Sequence, residues 1–225
     1  SLAPEVYARL FGTGPGALEL EVLDTTEPET VAAAAARFDL DKTLFLVSSK
    51  SGTTAEVLAL LSFFYDRARM ELGTGHAGSR FVAITDPGTP LEELAHELRF
   101  RRAFLGQPEI GGRFSALSVF GLLPAALKGV DLKRLLAPAR AMAEACRLEH
   151  AADNPGALLG AILGTAALKG MDKLTFLIQP RLRPLADGSN SSSPRAPGKR
   201  GGASFRSSRT GAGTPRATAR TGCSS

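Results

Sequence analysis

Ser49, Lys50, Ser51, Gly52, Thr53 and Thr54 place four hydroxyls, one ammonium group and one glycine within six consecutive residues. Hydroxyls and a cation are anion ligands, and a glycine lets the backbone approach a ligand closely. Their setting sharpens that reading. The run TLFLV before them has the length and β-rich composition of a buried strand, and the segment after them carries apolar residues at Val57, Leu58, Leu60, Leu61, Phe64 and Tyr65, a helical spacing. The six residues therefore fall in a tight loop at a helix start, where the first N–H groups are unpaired and carry positive partial charge. A phosphate group suits such a place. The competing reading is an ordinary helix cap, for which one Ser or Thr suffices. The GxxxxGK[ST] spacing is absent, which argues against a metal-bound nucleotide.

The elements around this loop alternate. LELEVLD (18–24) has the two-residue period of a strand, and PETVAAAAARF (28–38) reads as a helix with Thr26 as a cap. RFVAITD (80–86) is the next strand. PGTP then leads into a helix over LEELAHEL, and FRRAFL (100–105), with two arginines, reads as an edge strand. Ser115 onward reads as helix with Pro124 inside it. Such alternation predicts an α/β fold with a parallel sheet. After Gly129 the pattern becomes helix on helix, through DLKRLLAPARAMAEACRLEHA and then NPGALLGAILGTAALKG, capped by Asn154 with Pro155 in the first turn. The strand-like KLTFLI (173–178) follows.

With these residues in view, SSKSGTT after a buried strand resembles the phosphosugar-binding loop of sugar isomerase (SIS) domains, and of glucose-6-phosphate isomerases in particular. GGRFSALSVFGLLPAAL (111–127) is similar to that family's GGR[FY]S segment, and SLAPEV (1–6) to the end of its glycine-rich opening. FVAITDPGTPLEELA (81–95) and DKLTFLIQP (172–180) are similar to the isomerase half of bacterial bifunctional transaldolase and glucose-6-phosphate isomerase proteins.

The resemblance implies a three-layer αβα SIS-type parallel sheet, cut short at its N-terminus because a first strand and glycine loop should precede Ser1. It implies a first SIS domain over residues 1–134, and a helical segment opening a second SIS domain over 135–187. The activity implied is the interconversion of glucose 6-phosphate and fructose 6-phosphate, in which the ring opens and a base moves a proton between C2 and C1 through an enediolate. No metal and no other cofactor is called for. Ser49, Ser51, Gly52, Thr53 and Thr54 match the phosphate ligands. Lys50 adds charge beside them, and Arg113 matches the arginine that stabilises the enediolate oxygen, so these two cations form the catalytic set here. An intact member of the family is expected to be a cytoplasmic dimer. His76, His96 and His150 lie outside any matching motif and read as solvated or packed side chains.

Composition divides the chain. Residues 188–225 contain no Leu, Ile, Val or Met and a single aromatic, Phe205. Such a segment cannot bury enough apolar surface to offset an ordering cost of roughly 1–2 kcal/mol per residue, so a disordered basic tail is expected. Residues 1–180 hold 18 bases and 21 acids, and residues 181–225 hold nine bases and one acid, so the net +5 is −3 plus +8. The body is mildly acidic, and the tail lacks aromatics interleaved with its basic residues, which speaks against a nucleic-acid partner. The resembled family continues after LAD with WVEQLIAESTGK, which includes its base glutamate. Plausible codons for that stretch, with the first nucleotide removed, read GSNSSSPRAPGK, which is residues 188–199. A one-nucleotide shift after Asp187 is thus expected, and it takes the base glutamate with it. Cys146 and Cys223 suggest no disulfide framework, which favours a reducing compartment. The longest uncharged apolar runs, near 114–127 and 155–168, fall short of the ~20 residues that span a bilayer.

Overall fold

The computed structural model describes residues 2–171, 173–175 and 177–184. The basic tail and its expected frame change lie outside the described residues. Three short strands, β1 (Phe45–Ser48), β2 (Phe81–Thr85) and β3 (Arg102–Leu105), form a sheet in the order β1-β2-β3, with both pairs parallel. The registers Phe45↔Phe81 and Val82↔Arg102 bring the three carboxyl ends to one edge. Around the sheet stand α1 (Leu2–Phe11), α2 (Pro28–Arg37), α3 (Ala55–Leu72), α4 (Pro90–Glu97) and α5 (Val119–Leu127), and α6 (Leu132–Ala145) and α7 (Pro155–Leu168) follow.

β2 is buried at every position because it is central and covered on both faces. Phe81 and Ala83 join one core with Val31 and Ala35 of α2, Leu61, Phe64 and Ala68 of α3, and Leu91 and Ala95 of α4. An aromatic cluster centres on Phe81, whose ring stacks on Phe45 at 4.9 Å and meets Phe100 at 5.3 Å and Tyr65 at 5.5 Å. Val82 and Ile84 alternate to the opposite face, the side on which α5 packs with α1 against it. β3 is only partly covered, as expected of an edge, and its Arg102 lies over the Phe104 ring at 5.7 Å.

Several local expectations are corrected. LELEVLD forms no strand: Leu18 N–H donates to the Leu127 carbonyl at 2.9 Å, and Leu18 and Val22 are exposed. Its alternating pattern is that of a strand, but it pairs with none of the three strands of the sheet, and its backbone turns to other bonds. KLTFLI likewise shows no strand at its described residues, so the expected opening of a second sheet is not seen there. The cap of α2 is Glu27, whose carboxylate accepts from Glu29 N–H at 3.1 Å and Thr30 N–H at 2.6 Å. Pro28 sets the first helical position, which puts Thr26 one residue too early. The segment from Ser115 is not one helix either. Gly112–Leu117 is a 3₁₀ turn, Ser118 caps α5 anew, and α5 then runs through Pro124. Asn154 and Pro155 begin α7 as the sequence indicates. Among the described residues no helix is long and apolar enough to cross a membrane, and no cluster of His, Cys, Asp or Glu could hold a metal ion.

Candidate phosphosugar site

The hydroxyl-rich loop occupies the carboxyl edge of the sheet, where ligands of open α/β sheets bind. Ser49 N–H still donates to the Ile84 carbonyl at 3.0 Å, extending the β1–β2 pairing by one residue, and Asp86 N–H returns a bond to the Lys50 carbonyl at 3.2 Å. The chain then turns, with Gly52 N–H reaching the Ser49 carbonyl at 3.3 Å and Gly52 itself at φ +68°. Glycine is required twice over. A Cβ there would stand 2.8 Å from Thr89 Cβ and 2.9 Å from the Leu91 amide nitrogen, so the loop lies directly on the start of α4.

Thr54 holds the cap position of α3, yet its side chain makes no capping bond. Its hydroxyl pairs with the buried Ser49 hydroxyl at 2.9 Å, and Ser51 Oγ accepts from both the Thr53 amide at 3.3 Å and the Thr53 hydroxyl at 3.0 Å. The hydroxyls therefore point to one another, and no loop side chain caps the first N–H groups of α3. A plain cap would have used one of them. Ser51, Thr53 and Thr54 are exposed, while Gly52 and Ser49 are buried beneath them.

Lys50 is placed differently from the expectation of spare positive charge beside the phosphate. Its Nζ is ion-paired with Asp86 and also donates to the Pro108 carbonyl at 3.3 Å. Both side chains are largely covered, at 28% and 13% exposure. Asp86 was not singled out in the sequence; the available signal was an acid directly after a buried strand, in ITDPG. Its second oxygen, Oδ1, is buried with no hydrogen-bond partner among the described residues.

Arg113 sits on the 3₁₀ turn Gly112–Leu117 and is exposed. The turn is braced from within by Ser115 Oγ donating to the Gly112 carbonyl at 2.7 Å and by Ser118 Oγ donating to the Ser115 carbonyl at 2.7 Å. From outside, the Tyr7 hydroxyl of α1 donates to the Ala116 carbonyl at 2.9 Å, and burial pushes the Tyr7 phenol above its usual pKa. Gly121 packs so closely on this turn that an added Cβ would lie 2.0 Å from the Ala116 carbonyl oxygen. His150 is exposed and pairs with Asp153 at 3.1 Å, remote in sequence from all of these groups.

The hydroxyl loop and the GGRFS turn thus occur in order in an α/β fold, and residues 1–180 match the family model described as phosphoglucose isomerase. The chain belongs to the phosphoglucose isomerase family. It is 38% identical over 148 residues to the glucose-6-phosphate isomerase of Carboxydothermus hydrogenoformans, covering 65% of this chain and 32% of that protein. It is 37% identical over 164 residues to the enzyme of the same name from Synechococcus sp. JA-2-3B'a(2-13), covering 71% and 30%. The chain therefore spans about a third of the length of these curated relatives. A crystal structure of the hypothetical protein TT0462 from Thermus thermophilus superposes with a TM-score of 0.78 at 30% identity, over 91% of this chain and half of that one. A Chlamydia trachomatis glucose-6-phosphate isomerase shares the fold, with a TM-score of 0.67 at 24% identity over 85% of this chain and 37% of that one.

Proposed function

We propose that this chain carries the phosphosugar-binding part of an isomerase that interconverts glucose 6-phosphate and fructose 6-phosphate, and that by itself it binds the phosphorylated sugar without turning it over. The observation that carries this is the state of the loop: in a member of the phosphoglucose isomerase family, four hydroxyls turn to one another at the sheet's carboxyl edge while the start of α3 is left without a side-chain cap. Ser51, Thr53 and Thr54, with Ser49 supporting Thr54, would hold the phosphate. Binding energy from that remote group then orients the reacting carbons. Arg113 would face the enediolate oxygen, a role suited to a cation that stays protonated.

The missing part is the base. An ESTGK segment does not occur in residues 1–225. Loss of proton transfer alone costs about 10²–10⁴-fold. The domain reading that goes with this is a phosphosugar domain over 1–134 followed by a helical segment over 135–187, in a protein that works in the cytoplasm as a dimer. In a coupled assay with glucose 6-phosphate, the purified chain is expected to show no turnover above background, while calorimetry shows weak binding. Turnover at ordinary isomerase rates would overturn the incompleteness, and absence of binding by a folded chain would overturn the site.

A further inference from the structure

The Lys50–Asp86 pair lies where the ends of all three strands meet. Lys50 follows β1 inside the hydroxyl loop, Asp86 follows β2, and Pro108, whose carbonyl accepts from Lys50 Nζ at 3.3 Å, follows β3 on the way to Arg113. Main-chain bonds join the same points: Asp86 N–H to the Lys50 carbonyl at 3.2 Å, and Gly106 N–H to the Thr85 carbonyl at 2.7 Å. Gly106 lies directly on the acid, since a Cβ there would stand 2.5 Å from Asp86 Oδ1 and 2.6 Å from the Phe120 ring. Oδ1 finds no hydrogen bond, so among the described residues Lys50 is the cation that compensates the covered carboxylate. A cation engaged in this way has little charge left to offer a phosphate.

We infer that Lys50 is a positioning residue: its pair with Asp86 latches the 106–110 segment against the end of β2 and so sets where the 3₁₀ turn presents Arg113, while contributing little to phosphate binding. This rests on the reading of the site as a phosphosugar site, and it reassigns Lys50 within it. The pair is a mechanical link between the loop that would hold the phosphate and the turn that would meet the sugar's reacting end. Removing the link should therefore separate the two kinds of binding energy, leaving the phosphate's share and losing the share delivered by Arg113.

The test uses the full chain, with inorganic phosphate and a phosphorylated aldonic acid as calorimetric probes. In Lys50→Met, inorganic phosphate affinity is expected to stay within about twofold, while the aldonic acid weakens about tenfold, as in Arg113→Ala, and the two changes together cost no more than either alone. Lys50→Arg, which keeps a cation beside Asp86, is expected to restore part of the loss. In the ligand-free variant, amide exchange of residues 106–113 should accelerate about tenfold or more while β2 amides keep their protection. Should Lys50→Met fold poorly because it strands the Asp86 charge, Lys50→Met/Asp86→Leu removes both charges and serves in its place. A tenfold loss of inorganic phosphate affinity in either variant, or additive losses with Arg113→Ala, would overturn the latch and make Lys50 a direct ligand. Failure of the wild-type chain to bind either probe would instead overturn the phosphosugar reading, and the exchange experiment then decides the latch alone.

Discussion

Substituting Ala for Gly52 tests how the hydroxyl loop is held. At φ +68° an L side chain costs roughly 1–2 kcal/mol from contact with its own backbone. The new Cβ would also meet Thr89 Cβ at 2.8 Å and the Leu91 amide nitrogen at 2.9 Å. Neither neighbour can retreat easily. Thr89 caps α4 by accepting from Glu92 N–H and shares a 2.6 Å hydroxyl contact with Thr85, and Leu91 is wholly buried. Overpacking of this kind costs about 1–3 kcal/mol, so the sum is about 2–5 kcal/mol. At about 2–4 °C per kcal/mol for a domain of this size, Tm should fall by about 4–20 °C. Gly88→Ala is the control, because Gly88 has nearly the same φ, +72°, with nothing within 4 Å of its added Cβ. It should show the conformational share alone, about 1–2 kcal/mol. Urea denaturation of both variants, compared at equal m-values, isolates the contact with α4. Equal losses in the two variants would refute the reasoning, since the loop would then not be seated on α4.

Three further outcomes are expected. Ser51→Ala with Thr53→Val should weaken binding of glucose 6-phosphate tenfold or more, because each bond to a charged group is worth roughly 1.5–3 kcal/mol; calorimetry on the folded variant checks it. Tyr7→Phe removes the bond to the Ala116 carbonyl and should lower stability by about 0.5–1.5 kcal/mol in urea titration, with faster amide exchange in the 3₁₀ turn that carries Arg113. Glu27 is held below the usual carboxylate range by bonds from Thr30 and then Glu29, and Asp39 by its bond from Lys42. A carboxyl whose folded pKa is depressed contributes stability above its unfolded pKa and loses it as pH falls through the folded value. Tm should therefore hold above about pH 5 and decline below about pH 4, and Glu27→Gln with Asp39→Asn should flatten that decline in a thermal scan against pH.

What the sequence determined by itself is what short-range chemistry decides. The apolar run ending in SSKSGTT makes a strand, a tight loop and a helix, because strand propensity, glycine freedom and helical spacing act over a few residues, although the strand is an edge with only Val47 fully buried rather than the buried strand expected. Asn154 with Pro155 starts α7 for the same local reason. The GGRFS segment was legible as a site motif through its resemblance to a family. What only the tertiary structure decided is partnership. LELEVLD has a strand's alternation but joins no ladder, and its Leu18 amide ties instead to the end of α5. The lone lysine of the loop reads in one dimension as spare charge, and folding hands it to Asp86, 36 positions away, and to the carbonyl of Pro108, 58 positions away. Hydrogen bonds and ion pairs are satisfied by whatever the parallel sheet brings to one edge, and that edge gathers residues by strand register, which no local pattern encodes.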